Sequence, residues 1–162
     1  MLEPAPDFLS LLAVLHDHGV EFIIVGGVCA VLQGVPVTTM DLDIVHRRGE
    51  DNVERLLAAL EELEATSRLD RCGLRPQASH LRGPGHQLLR TRAGLLDLLG
   101  AVAGDLDYEA LLGGSESAVV DGRTLRLLKL ETLLEIEERT GRPKDQVMLP
   151  LIRHTLAERE RP

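Results

Sequence analysis

The chain has 162 residues, of which 44% are apolar and 27% charged, and a net charge of −8 at neutral pH. That length suits one compact domain, and the mixture excludes a disordered tail, a collagen-like fibre and a general polyanionic coat. The aromatic residues are Phe8, Phe22 and Tyr108, so the core must be aliphatic, and a function built on stacking bases against a row of rings is disfavoured.

From the N-terminus, Asp7 is placed to cap a first helix whose apolar face is Phe8, Leu11, Leu12 and Leu15, closed by Gly19. Residues 20–25 are nearly all apolar and β-branched and read as a buried strand running into Gly26-Gly27. A short helix over 28–33, ended by Gly34, and an extended turn at Pro36 then lead to a strand from about 38 to 45. Residues 22–40 carry no charge and are long enough to raise the question of a membrane span. Gly26-Gly27, Gln33, Gly34, Pro36 and Thr38-Thr39 break that stretch into strand, turn, helix and turn, so no membrane partner is expected. Glu3, Pro4 and Asp7 give the N-terminus none of the basic character of a signal peptide. Two cysteines, Cys29 and Cys72, are too few for a disulfide scaffold or a cysteine zinc site, and reduced thiols in a cytoplasmic protein are expected.

Residues 50–64 have the spacing of an amphipathic helix, with Val53, Leu56, Leu57, Leu60 and Leu63 inside. Short strands are expected around 80–82, 87–91 and 95–99, punctuated by Gly83-Pro84-Gly85 and Ala93-Gly94. A short helix over 105–112 and a peripheral hairpin, 117–120 with 124–127 around Asp121-Gly122, come next. Two helices finish the chain, Leu130–Thr140, stopped by Gly141, and 143–159, with Pro143 in its first turn. The expected fold class is α/β or α+β, a mixed sheet flanked by helices with a C-terminal helical pair. Between Thr66 and Leu95, six arginines (Arg68, Arg71, Arg75, Arg82, Arg90 and Arg92) face one acid, Asp70. This segment is either a solvated face or a landing area for phosphates or an acidic partner.

Asp41 and Asp43 lie two apart in a strand pattern, so both carboxylates share a face while Leu42 and Ile44 point into the core. Adjacent carboxylates repel and resist joint burial, and a divalent cation such as Mg²⁺ removes that cost. A lone Asp-x-Asp also fits a solvent-facing edge strand. Gly26-Gly27, between an apolar strand and a short helix, would let the backbone come close to a phosphate, and taken alone the pair also fits an ordinary tight turn. Asp97 is a lone acid in the apolar run 94–99. Either its strand lies beside that of Asp41 and Asp43, so that three carboxylates meet, or it is a strand-edge residue paired with one of the arginines. His16 and His18 read as helix-end residues and His154 as a surface one, while His46, His80 and His86 are candidate substrate contacts.

Gly26-Gly27, thirteen intervening residues, Asp41-x-Asp43 and the later strand acid Asp97 together resemble the nucleotidyltransferase superfamily of the polymerase-beta type. Residues 50–63, 97–104, Tyr108-Glu109 and Gly141-Arg142-Pro143-Lys144-Asp145 are similar to the bacterial AbiEii-like branch. The resemblance implies one nucleotidyltransferase-like domain over 1–162 that transfers a nucleoside monophosphate from a nucleoside triphosphate to an acceptor hydroxyl on RNA, protein or a small molecule. It implies Mg²⁺, as one or two ions, on Asp41, Asp43 and Asp97, with Asp97 also favouring deprotonation of the acceptor. Gly26, Gly27, Thr39 and Lys144 would meet the nucleotide. A tRNA or protein acceptor and a toxin-antitoxin partner protein are further implications.

This chain departs from the family pattern at three places. Gly27 stands where many relatives have Ser, Val37 where many have Arg, and Glu137 where many have Lys. The two missing cations leave open an alternative, a non-catalytic binding partner of the same fold, antitoxin-like. An RNA-binding module using the arginine-rich segment is a second alternative.

Overall fold

The computed structural model describes residues 5–162, with the side chains of Lys144 and Asp145 outside the described set. The nucleotide contact expected of Lys144 and the N-terminal features Glu3 and Pro4 therefore lie outside the described residues.

Helix α1 (Phe8–Asp17) is capped as its sequence predicts: the Ser10 N–H donates to the Asp7 carboxylate at 3.0 Å, and Leu11, Leu12 and Leu15 are buried. Strand β1 (Phe22–Val25) passes directly into α2 (Gly26–Leu32), so the glycine pair belongs to the helix start. After an irregular stretch come β2 (Asp41–His46) and α3 (Glu50–Glu62). Then follow β3 (Thr66–Ser67), α4 (Ala78–Arg82), β4 (His86–Thr91) and β5 (Gly94–Leu99). Helix α5 (Tyr108–Leu111), β6 (Ser115–Val120), β7 (Arg123–Leu128), α6 (Leu130–Thr140) and α7 (Pro143–Arg159) complete the chain.

The strands form one seven-stranded mixed sheet in the order β3-β4-β5-β2-β1-β7-β6. β2 pairs with β5 in parallel and with β1 antiparallel, and β1 pairs with β7 in parallel. The mixed sheet flanked by helices and the C-terminal helical pair are as the sequence predicts. Two local expectations are corrected. Residues 80–82 are the end of α4, held by the Gln77 N–H donating to His80 Nδ1 at 3.2 Å and anchored by the buried Leu81; alternation over three residues cannot separate a strand from one helical turn. The hairpin is peripheral only at β6, since β7 enters the sheet beside β1, with Ile24 opposite Leu127.

The core is aliphatic: Ile23, Ile24, Leu42, Ile44, Leu56 and Leu96 are fully buried. Each such side chain contributes about 1.5–3 kcal/mol, which fixes which face of β2 turns inward and so which face carries its carboxylates. No helix among the described residues is long and apolar enough to cross a membrane.

His46 follows the inward alternation of Leu42 and Ile44. It is 1% exposed, donates from Nε2 to the Leu81 carbonyl at 2.8 Å, and has no partner for Nδ1 among the described residues. Burial, reinforced by nearby Arg48, lowers its pKa from the ordinary 6.5 against the opposing effect of the Leu81 bond. The unfolded chain therefore takes up this proton first on acidification. The contribution of neutral His46 is complete above the unfolded value and is lost as pH falls below it. Thermal melts should show a midpoint that drops below about pH 6.5, and His46→Gln should flatten that slope.

Candidate functional site

The parallel register of β2 and β5 sets Asp43 directly opposite Asp97 and Asp41 opposite Leu95. Opposed residues on paired strands present their side chains on one face, and so do residues two apart in a strand. Asp41, Asp43 and Asp97 therefore converge, with one carboxylate oxygen from each lying within 4.8 Å of the others. Asp43 and Asp97 are 6% and 7% exposed, so the cluster is buried except at Asp41. An edge strand is the setting of none of the three acids, because β2 and β5 both lie inside the sheet.

The glycine pair stands against this cluster. Asp43 is opposite Val25, and the chain turns at once into Gly26 with φ +66. A Cβ at Gly26 would collide with Oδ2 of Asp43. A Cβ at Gly27 would lie 2.6 Å from Oγ1 of Thr39, so the room left by Gly27 is taken by the threonine. The Thr39 hydroxyl donates to the Asp41 carbonyl at 3.2 Å, which ties this loop to the start of β2. Gly26, Gly27 and Thr39 thus all lie beside the acids.

Burial raises the pKa of Asp97, and the neighbouring Asp41 carboxylate adds to the rise, while Arg68 opposes it. Asp43 acts in the opposite sense to Asp41, lowering the Asp97 pKa. The Arg68 guanidinium completes the charge compensation, donating from Nη2 to Asp97 Oδ1 at 2.5 Å. Both readings of Asp97 made from the sequence therefore hold in part: it faces the other two acids and it pairs with an arginine.

Arg68 is the residue the sequence did not single out. It was one of six arginines in the basic segment, and only the pairing of β3 with β4 shows that it reaches the acids. His46 is corrected as a substrate contact, because the two-residue period that exposes Asp43 to the site turns His46 to the opposite face, against α4. His80 serves α4 as a cap.

Two cavities flank the acids. One of about 530 Å³ is lined by Gly26, Asp43, His86, Ile136 and Glu137, with Arg139, Thr140 and Arg142 from the α6–α7 junction. Glu137 is 4% exposed there, so this wall carries a buried acid where the family pattern has a cation. The other, of about 630 Å³, is lined by Gly27, Val37, Thr39, Met40, Asp41, Val147 and Met148. Asp43 belongs to the first cavity and Asp41 to the second, which places the carboxylate cluster between them.

No protein-family model matches the chain, and no curated protein matches its sequence. Solved structures do match its fold. The lincosamide antibiotic adenylyltransferase LnuA, with lincomycin bound, superposes at a TM-score of 0.63 and 11% identity over 91% of this chain and 95% of LnuA. ANT(2'')-Ia in complex with adenylyl-2''-tobramycin gives 0.59 and 18% over 94% and 89%. A candidate nucleotidyltransferase of Thermotoga maritima gives 0.59 and 19% over 93% of both chains. At these identities the likeness concerns architecture: the chain has the nucleotidyltransferase fold.

Proposed function

We propose that the protein is a metal-dependent nucleotidyltransferase that moves a nucleoside monophosphate from a nucleoside triphosphate to an acceptor hydroxyl. The observation that carries this reading is the meeting of Asp41, Asp43 and Asp97 within 4.8 Å beside Gly26. The donor set fits a divalent cation: it is all carboxylate oxygen, two of its members are buried, and it sits on two adjoining strands. Hard oxygen ligands of this kind suit Mg²⁺. When bound, the ion supplies charge neutralisation at the transferring phosphate and at the attacking and leaving oxygens.

In this reading Asp41, Asp43 and Asp97 hold the cation or cations. Asp97 would also take the acceptor hydroxyl's proton. The acceptor oxygen forms a bond to the α-phosphorus, the α–β bridging bond breaks, and pyrophosphate leaves. Gly26, Gly27, Thr39 and Lys144 would meet the phosphates. A cavity on either side of the acids suits a reaction that brings two substrates to one point.

A small-molecule hydroxyl is the acceptor class we favour, since LnuA was solved with lincomycin and ANT(2'')-Ia with adenylyl-2''-tobramycin. The finer resemblance to the AbiEii-like branch rests on residues 50–63, 97–104, Tyr108-Glu109 and 141–145, the last adding the most weight. The test is incubation with α-phosphate-labelled nucleoside triphosphates and Mg²⁺ against hydroxyl-bearing small molecules, tRNA and protein. Label on a small molecule, lost on chelation, supports the proposal. Label on tRNA or protein changes the acceptor class, and nucleotide bound without transfer to any acceptor replaces the enzyme with a binding partner of the same fold.

A further inference from the structure

A single row runs across the sheet from its β3 edge to the glycine turn. The Arg68 N–H donates to the Leu88 carbonyl at 2.9 Å, Leu88 is opposite Asp97, Asp97 is opposite Asp43, and Asp43 is opposite Val25, next to Gly26. From the edge of this row the Arg68 side chain crosses one strand to place Nη2 2.5 Å from Asp97 Oδ1, with Nη1 3.5 Å from the Leu89 carbonyl. The ion pair is sheltered, with the side chains 17% and 11% exposed. Beyond Arg68 the chain enters an exposed turn, where Leu69 is 81% and Leu74 61% exposed. Arg90 lies on the same face in the adjoining row, opposite Leu95, which is opposite Asp41.

An arginine so placed holds the same carboxyl group that a bound cation would take as its third ligand. An ionised Asp97 oxygen cannot give its full charge to a guanidinium and to a divalent ion at once, and an arginine fork is also the side chain best shaped to take a phosphate. We propose that Arg68 is a tethered stand-in for the divalent cation: it holds Asp97 while the site is free of metal, gives up that carboxylate when the cation binds, and then meets the phosphates of the incoming nucleotide. The proposal rests on the nucleotidyltransferase reading for its last step, while its first two steps concern the metal alone. It also gives the arginine-rich segment a specific role: the segment delivers one cation into the site rather than offering a diffuse landing area.

The test is Mn²⁺ binding to the whole protein by calorimetry, with no nucleotide present. Arg68→Gln should bind Mn²⁺ roughly tenfold more tightly than the wild type, the scale of one charge-assisted hydrogen bond that no longer competes. Arg71→Gln, an equal loss of charge at an exposed position of the same segment, should change the affinity less than about twofold if only screened long-range charge is lost. With Mn²⁺ saturating, Arg68→Gln should bind a non-hydrolysable nucleoside triphosphate about tenfold more weakly. If the variant fails to fold, titration of the wild type with Mg²⁺ is followed at the Arg68 Nε–H resonance, which should shift in step with metal binding. Asp43-dependent Mn²⁺ binding that Arg68→Gln leaves unchanged, or an Nε–H signal indifferent to bound Mg²⁺, overturns the proposal and spares the metal centre. Absence of Mn²⁺ binding in wild type and variant alike overturns both. Tighter Mn²⁺ binding by Arg68→Gln in a protein that transfers no nucleotide supports the exchange and removes the enzymatic reading.

Discussion

Asp43→Asn is expected to lower nucleotidyl transfer by about 10²–10³-fold, the range seen when a preorganised electrostatic group is removed from a transition state. Asp43 is the hinge of the acid cluster, opposite Asp97 on one side and Val25 on the other, with Gly26 against its carboxylate. The amide keeps the size of the side chain and removes one negative charge, so affinity for the divalent ion should fall along with turnover. The fold should survive, because the inward face of β2 is carried by Leu42 and Ile44, both 0% exposed. Transfer of labelled nucleotide, with circular dichroism and a thermal melt on the same preparation, checks both halves. A variant that keeps transfer within tenfold of wild type would remove Asp43 from the site.

Gly26→Ala should damage stability and activity together, for two separable reasons. At φ +66 an L-residue is strained, at a cost of roughly 1–2 kcal/mol. In addition, the new methyl would occupy the place of Oδ2 of Asp43. Displacing a catalytic group by about 1 Å costs on the order of 10² in rate. The strain alone should lower the melting midpoint by roughly 2–8 °C at this chain length. Gly34→Ala separates the two effects: Gly34 also has a positive φ, +90, but nothing lies within 4 Å of its Cβ position. It should lose stability and keep transfer. If both variants keep full activity, the close approach of Gly26 to Asp43 has no part in the chemistry.

The helices were legible where periodicity and capping agree. In α1 the Asp7 cap and the i, i+3, i+4 apolar spacing specify the same element, and in α6 Gly141 ends the helix in the left-handed conformation it alone adopts cheaply. The five-residue α4 and the two-residue β3 were not legible, since neither is long enough to express a period. His46 shows the same limit at a single residue. Its place just after the acid pair suggested a site contact, yet one step along a strand reverses the face, and the neutral ring is buried against Leu81.

By itself the sequence determined which residues could carry the chemistry: a glycine pair closing an apolar strand, two carboxylates on one strand face, and a third acid where burial would otherwise be costly. These are local properties, fixed by the period of a strand and the conformational freedom of glycine. Tertiary structure alone decided that β5 lies beside β2 in the register that brings Asp97 to Asp43, and that Arg68 crosses β4 to meet them. Strand adjacency and register are set by long-range packing of the aliphatic faces, so no spacing along the chain encodes them.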